Sequence, residues 1–232
     1  MRDLAIRCRD EEQMDSLELD PADYAEVLHG LARVNRWTFT AHPLFAFLDR
    51  AAKDLVRFRL LDVGFGEGDL LRRVARWARR RRVSVSLVGV DINPRSADIA
   101  RAQTARDMPI EYLTGDAREL PGTFDFIVSS QVAHHMTDRQ LYEFLHFMEE
   151  RALRGWLISD LRRVAFAYHG FPLLARLLGV HRIVREDGQL SIARSFRKAD
   201  WRAIMRDAGI AAEGIRLVKR FPSRLSVERI KP

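Results

Sequence analysis

One carboxylate and three evenly spaced glycines are the residues to which chemistry is most readily assigned. Asp62, Gly64, Gly66 and Gly68 alternate along residues 60–71. An apolar run precedes them and apolar residues at helical spacing follow, so the pattern predicts a strand, a tight turn and a helix. Glycines allow a sharp turn and close approach of a ligand, while the free N–H groups of the helix start favour a polar or anionic ligand group.

The spacing of these glycines separates two classes of ligand. A nicotinamide or flavin site of the form G-x-G-x-x-G requires glycine at position 69, which is Asp69 in this chain. The order that is present, D-x-G-x-G-x-G, resembles motif I of the class I S-adenosylmethionine-dependent methyltransferases. The resemblance extends over roughly residues 55–230, and it implies that the turn holds the amino-acid half of S-adenosylmethionine. A glycine-rich turn without a ligand is the alternative.

Acidic residues also end the next two predicted strands. Asp91 follows residues 83–90, where a Rossmann-like site needs an acid to accept hydrogen bonds from ribose hydroxyls. Asp116 follows residues 110–113, and the resemblance implies that Asp116 and the amide of Ala117 contact the adenine. The predicted cofactor site comprises Asp62, Gly64, Gly66, Gly68, Asp91, Ile92, Asp116, Ala117, Ser130 and Trp37.

Two adjacent histidines, His134 and His135, follow the fourth predicted strand, residues 124–130. They precede a helix opened by a capping box from Thr137 to Gln140. A paired histidine here resembles the acceptor-side loop of natural-product and quinone methyltransferases, whereas the Asn/Asp-Pro-Pro-Tyr/Phe signature of nucleic-acid amino-methyltransferases is absent. Imidazole is partly neutral near physiological pH, so either histidine could act as the general base. In the alternative, one histidine bonds the loop and only the other faces the acceptor.

Composition and charge limit which partners, metals and locations are expected. The chain has 232 residues, a net charge of +7 and a single cysteine, Cys8, which excludes an internal disulfide. Residues 1–27 hold nine acids against three arginines, so the basic charge lies further along the chain. The run Arg79 to Arg82 is interpreted as a solvated helix end, which does not favour nucleic acid as partner. The other histidines are scattered, so no metal is expected. We find no signal peptide or membrane span and expect a cytoplasmic protein.

The pattern of elements predicts a single α/β domain with a Rossmann-like class I methyltransferase fold. We expect a seven-stranded, mostly parallel sheet with a terminal antiparallel strand and helices on both faces. Residues 1–54 would form an N-terminal helical cap, 55–159 the cofactor-binding core, 160–195 an inserted lid or acceptor segment, and 196–232 a C-terminal helix and strand pair. The acidic stretch from Asp10 to Asp20 is predicted to be a mobile lead-in. The leucines of residues 173–178 could form a lid or pack against a second copy, giving a homodimer.

These features lead to one expected function and two alternatives. The resemblance implies methyl transfer from S-adenosylmethionine to an oxygen, or less readily a carbon, of a small aromatic, quinone-like or polyketide-like acceptor in secondary metabolism. The first alternative is an RNA-directed methyltransferase or RNA-associated factor that uses the basic surface. The second is a cofactor-binding fold without catalysis.

Overall fold

The computed structural model describes residues 3–16 and 18–231. In this part of the chain the strands are β1 (Arg57–Val63), β2 (Ser84–Asp91), β3 (Ile110–Thr114), β4 (Phe124–Ser130), β5 (Ala152–Leu161), β6 (Ile215–Arg220) and β7 (Arg224–Ile230). The helices are α1 (Pro21–Trp37), α2 (His42–Ala51), α3 (Asp69–Arg81), α4 (Pro94–Ala102), α5 (Asp138–Arg151), α6 (Ala165–Leu177), α7 (Arg182–Arg194) and α8 (Lys198–Asp207). Short 3-10 turns span Gln13–Asp15, Ala117–Glu119 and Ala133–His135.

The strands form a single sheet in the order β3-β2-β1-β4-β5-β7-β6. Strands β1 to β5 pair in parallel, whereas β7 is antiparallel to both of its neighbours. This arrangement confirms the predicted Rossmann-like fold with its mostly parallel sheet. The strand order reverses between β1 and β4, and in such sheets a crevice opens outside the carboxyl ends of the two strands on either side of the reversal.

Strand β1 is fixed from both faces because its side chains alternate between two cores. Leu61 and Val63 join the apolar cluster that includes α5 and α8, while Phe58 and Leu60 join the one that includes α2, α3 and α4. Full burial of one such side chain contributes about 1.5–3 kcal/mol. The carboxyl end of β1, where Asp62 and the glycine turn lie, is therefore held in place by packing on either side.

The N-terminal helix and the inserted segment meet above the carboxyl end of the sheet. Val27 and Val34 of α1 form a third apolar cluster with Ile183 and Val184 of α7. Gly30 allows this approach, because a Cβ atom at that position would lie 3.1 Å from a methyl carbon of Val184. The cap and the insertion thus make one roof, which we call the α1–α7 roof. Within the described residues, no helix is both long and apolar enough to cross a membrane.

Side-chain caps fix the starts of two helices. Asp20 caps α1 by accepting a hydrogen bond from the N–H of Ala22 at 2.8 Å, and Thr137 and Gln140 form the expected capping box of α5. Helix α1 continues to Trp37, beyond Val34, the last residue of its buried face.

The prediction of a mobile acidic lead-in from Asp10 to Asp20 is wrong for the described residues. Glu12 is buried and accepts a hydrogen bond from Oγ of Ser191 at 2.9 Å. The N–H groups of Gln13 and Met14 donate to the two carboxylate oxygens of Asp187 at 3.0 and 2.9 Å. Polar groups of α7 therefore hold this segment, and the sequence places those groups more than 170 residues away.

Candidate active site

The glycine turn after β1 has the backbone conformation that the sequence predicts. Gly64, Gly66 and Gly68 all have positive φ angles, of 78°, 56° and 78°. A Cβ at Gly64 would clash with Val132 and one at Gly68 with Tyr112, whereas one at Gly66 would meet only Leu28, at 3.8 Å. Gly64 and Gly68 are thus required by packing, and Gly66 leaves its backbone open to a ligand.

A cleft of about 680 Å³ opens at the carboxyl ends of β1, β2 and β4. The predicted cofactor residues that line it are Asp62, Gly64, Gly66, Asp91, Ile92, Asp116, Ala117 and Ser130. Gly68 instead forms the N-cap of α3. Trp37 is 64% exposed and lies outside the cleft lining. The structure therefore does not bring Trp37 to the cofactor site, because α1 carries this residue past the cleft to the surface.

Asp62 is a buried carboxylate in the lining of the cleft. Neither of its oxygens has a hydrogen-bond partner among the described residues. Burial and the nearby charge of Asp91 raise the pKa of Asp62 to about 7. A cationic ligand group in the cleft would favour its ionised form. S-adenosylmethionine carries two such groups, the sulfonium and the amino group, so the unpartnered carboxylate fits this cofactor.

Asp91 links the end of β2 to the glycine turn. Its Oδ2 atom accepts a hydrogen bond from the N–H of Gly66 at 3.0 Å, and its Oδ1 atom accepts one from the N–H of Asn93 at 2.9 Å. Burial raises its pKa, while these hydrogen bonds oppose the rise. A carboxylate offers about four lone-pair sites, so acceptor capacity remains for ribose hydroxyls.

Asp116 is held at the cleft by Arg118. Its carboxylate accepts the backbone N–H of Arg118 at 2.9 Å and pairs with the guanidinium at 2.6 Å. The hydrogen bonds from Arg118 lower the pKa of Asp116, which keeps it an acceptor at neutral pH. Ala117 follows at the first position of the 3-10 turn, and its side chain is buried.

A second cavity, of about 340 Å³, adjoins the cofactor cleft under the α1–α7 roof. The residues that border both spaces are Met14, Leu31, Asn35, Gln131 and His135. Gln131 follows β4 directly with a φ of 61°, an unfavourable conformation for a residue with a side chain. Its amide donates to Oδ1 of Asn35 at 2.7 Å, which ties the end of β4 to α1. Such strain between two cavities is typical of functional positions.

His134 lies between two carboxylates and is only 3% exposed. Its Nδ1 atom lies 2.8 Å from Oδ1 of Asp160, and its Nε2 atom lies 3.5 Å from Oε1 of Glu12. Burial alone would lower the pKa of His134, but the charges and hydrogen bonds of Asp160 and Glu12 outweigh burial and raise the pKa to about 10. The protonated form of His134 is therefore favoured at neutral pH, and this geometry does not favour its predicted role as a base.

His135 occupies the junction between the cleft and the second cavity. Its Nδ1 atom lies 2.8 Å from Oδ2 of Asp15, and its Nε2 atom lies 3.8 Å from Oε2 of Glu12. About a quarter of its side chain is exposed. The geometry favours the alternative in which one histidine binds the loop and the other faces the acceptor.

Several residues of the site have no signal in the sequence. Glu12 and Asp15 contact the histidines from more than 110 residues away, and Arg224 reaches the cavity from the last strand. The glycine turn has a recognisable spacing, but a buried acid in a polar segment does not. Knowledge of how α7 packs on residues 12–15 would have been needed to find Glu12.

The cluster around the histidines has the composition of a metal site. Ligand-type atoms of Glu12, His134 and His135 all lie within 4.8 Å of one another. The protonated ring of His134 and the guanidinium of Arg194, 3.8 Å from Oε1 of Glu12, already neutralise much of its negative charge. The groups present are therefore accounted for as an ion-pair network, and the expectation that no metal takes part stays a prediction.

Comparisons with known proteins agree with this geometry. Residues 60–154 match a family model described as a methyltransferase domain. A search of curated proteins finds no match. Among solved structures, the magnesium protoporphyrin IX methyltransferase (ChlM) of Synechocystis PCC 6803 with bound SAH is 18% identical with a TM-score of 0.58, over 95% of this chain and 92% of that one.

Two further structures are similar over most of the present chain. A SAM dependent methyltransferase from Aquifex aeolicus is 15% identical with a TM-score of 0.60, over 91% of this chain and 98% of that one. PigF with SAH is 17% identical with a TM-score of 0.64, over 96% of this chain and 63% of that one. At these identities, the likeness shows the fold.

The match over residues 60–154 and the fold together identify a methyltransferase domain of the class I type. The chain is an S-adenosylmethionine-dependent enzyme whose methyltransferase domain includes residues 60–154.

Proposed function

We propose that this enzyme methylates an oxygen of a small aromatic, quinone-like or polyketide-like acceptor, with a carbon of such an acceptor as the second candidate. The observation that carries this proposal is the second cavity, which is mostly apolar and meets the cofactor cleft at His135 and Gln131. Its volume of about 340 Å³ lies in the range of small-molecule sites. We call it the acceptor cavity.

Bound S-adenosylmethionine supplies an electrophilic methyl group on its sulfonium. The contribution of this chain is to hold that group and the acceptor in line, which can be worth about 7–11 kcal/mol of the barrier. Asp62, Asp91 and Asp116 would hold the cofactor at its amino-acid, ribose and adenine parts. The α1–α7 roof would position the acceptor and exclude water.

His135 is the residue that we assign as the general base. Its Nδ1–H donates to Asp15, which leaves Nε2 as the basic atom. An acceptor hydroxyl at the junction of the two cavities would give its proton to this nitrogen as the methyl–oxygen bond forms and the methyl–sulfur bond breaks, leaving S-adenosylhomocysteine. General-base catalysis of this kind typically contributes about 10²–10⁴-fold.

His134 would act as a positioning residue rather than a base. Its ring bonds Asp160, and its backbone N–H also donates to Asp160, at 2.9 Å. These contacts join the loop after β4 to the end of β5, and the ring approaches Glu12 of the N-terminal segment. The network therefore fixes the loop on which His135 is carried.

The apolar lining of the acceptor cavity also bears on the alternative that the enzyme acts on RNA. A nucleotide within a chain would bring its charged phosphates to the site, whereas side chains of α1, α6 and α7 give this cavity a mostly apolar wall. We therefore favour a small molecule over nucleic acid as the acceptor. Leu173 and Leu177 on α6 are exposed and could contact a second copy of the chain. The homodimer stays a prediction, as do the role in secondary metabolism and the cytoplasmic location.

The test is a transfer assay with S-adenosylmethionine carrying a labelled methyl group. Purified protein is incubated separately with a panel of small phenols and with total RNA. We expect label in one or more phenols and none above background in RNA. Label in RNA alone would replace this proposal by the RNA-directed alternative. Binding of the cofactor without transfer to any class of acceptor would support a non-catalytic role.

A further inference from the structure

Arg224, at the start of β7, places a buried cation in the wall of the acceptor cavity. Its side chain is only 2% exposed, and it lines the cavity. The guanidinium donates to Oγ1 of Thr38 at 2.8 Å and to Oε1 of Gln131 at 3.1 Å, and it also contacts Oγ1 of Thr40. Because Thr38 and Gln131 line the same cavity, the charged end of Arg224 lies at the cavity wall.

These partners satisfy hydrogen bonds but leave the positive charge of Arg224 uncompensated. Among residues 3–16 and 18–231, Arg224 has no ion pair with a carboxylate. Burial lowers its pKa to about 10, and the charge of Asp160, which is bonded to His134, opposes that change only in part. The guanidinium therefore remains charged at neutral pH, and an unpaired charge is costly in a low-dielectric interior.

Other buried arginines of the chain behave differently. Arg72 pairs with Glu67 at 3.4 Å, Arg163 with Asp200 at 3.0 Å, and Arg194 with Glu12 at 3.8 Å. Arg224 differs from all three in that it faces a cavity and has neutral partners. The lack of an anionic partner for Arg224 at the cavity wall is most simply explained if the bound ligand provides the anion.

The remaining lining of the cavity limits the shape of that ligand. Most of it is apolar and comes from the roof: Leu31, Val34, Phe166, Phe171, Leu174, Val184 and Ile192. The two acids of the lining, Glu12 and Asp187, already accept hydrogen bonds within the protein, whereas Arg224 has no anionic partner. An acceptor that fills the space would thus have an apolar body and one anionic group. A carboxylate suits a guanidinium best, because two parallel N–H···O bonds can form between the two planar groups.

We infer that the acceptor is an apolar aromatic carboxylic acid whose carboxylate pairs with Arg224. This inference rests on the proposed function and narrows its substrate class. The carboxylate is the anchor and a hydroxyl on the same molecule receives the methyl group, since an oxyanion paired with a guanidinium is a weaker nucleophile.

The test compares two ligands that differ only in the carboxylate. Olivetolic acid and olivetol share their ring, hydroxyls and pentyl chain, and only the first is an acid. Binding of each to the protein saturated with S-adenosylhomocysteine is measured by calorimetry. We expect the acid to bind at least about tenfold more tightly than the neutral phenol, because it completes a charge-assisted pair. This comparison uses the wild-type protein and does not depend on how a variant folds.

Variants then locate the effect. Arg224→Gln should abolish the preference for the acid, and Arg224→Lys should keep part of it because the charge remains. Arg163→Gln is the matched control: it removes an equally buried arginine that lines neither cavity, and the preference should persist. Equal affinities for acid and phenol, no binding of either at millimolar concentration, or methylation of the carboxylate itself would overturn the inference. Failure of S-adenosylhomocysteine to bind would instead overturn the proposed function.

Discussion

The Nδ1 atom of His134 lies 2.8 Å from Oδ1 of Asp160, and both side chains are almost fully buried. The pair joins the ends of β4 and β5 beneath the N-terminal segment, where Glu12 approaches the other nitrogen of the ring. These two acids favour the protonated form of His134, so the general base that we propose is its neighbour, His135.

Stability should depend on pH through this pair. The pKa of His134 is raised to about 10 in the folded protein, against about 6.5 when unfolded. Its contribution to the free energy of unfolding is therefore fully present below about pH 6.5 and is lost as the pH rises through about 10. The pKa of Asp160 is lowered, so its contribution is present above about pH 4 and is lost in acid.

His134→Gln measures this contribution, because it removes the charge and leaves Asp160 and Glu12 buried. Urea unfolding at about pH 6 should show a loss of roughly 3–5 kcal/mol, as for other broken buried pairs. The difference from wild type should shrink as the pH approaches about 10. A difference that is the same at all these pH values would mean that His134 is neutral in the folded protein.

His135 provides the test of base catalysis. His135→Gln should slow methyl transfer by about 10²–10⁴-fold while the free energy of cofactor binding changes by less than about 0.5 kcal/mol. His146→Gln, on the exposed face of α5, is the control. A loss of less than about tenfold would show that transfer proceeds by alignment alone.

The contrast between these two histidines shows what a sequence can predict. Spacing and periodicity are local, so they were sufficient for the glycine turn, the acids at the strand ends and the capping box of α5. The chemistry of His134 depends on Asp160 and Glu12, which are 26 and more than 110 residues away. The sequence alone does not show which of the two adjacent histidines is a buried cation and which is the candidate base. The carboxylates that make the difference are Asp160, on β5, and Glu12, in the N-terminal segment that α7 holds in place.

The acceptor side was the least predictable for the same reason. Trp37 was assigned to the cofactor site, but α1, which ends at this residue, places it at the surface. Arg224 begins a strand whose first five residues are all buried, so nothing in the sequence marks it as a cavity residue. Its position follows only from the way β7 inserts between β5 and β6.

Asp91 is expected to carry the ribose contact of the cofactor. Asp91→Ala should weaken binding of S-adenosylmethionine by about 1.5–3 kcal/mol per hydrogen bond lost to the charged acceptor. The variant also frees the N–H of Gly66, so a small further loss from the turn is expected. Asp98→Ala, an exposed acid on α4, controls for the change in net charge. Unchanged affinity, measured by calorimetry, would place the ribose acid elsewhere.

Removal of metal ions tests whether Glu12, His134 and His135 form a metal site. If Glu12, His134 and His135 form an ion-pair network, treatment with a chelator should leave the rate of methyl transfer and the melting temperature unchanged. A loss that a divalent ion restores would instead show that these three residues bind a metal. The same titration on Glu12→Gln would then show whether the buried carboxylate is one of the ligands.

The last prediction concerns the affinity of the cofactor as a function of pH. Burial and Asp91 raise the pKa of Asp62 to about 7, so the free protein binds a proton there that it would not bind if Asp62 were exposed. A cation near the carboxylate favours the ionised form, so S-adenosylmethionine should release this proton when it binds. Affinity should consequently increase as the pH rises through about 7, and calorimetry in buffers of different ionisation enthalpy should detect proton release. Asp62→Asn has no proton to release, and its affinity should be weaker at high pH and nearly independent of pH. If wild-type affinity were flat between about pH 6 and pH 8, the ligand cation would lie too far from Asp62 to affect its ionisation.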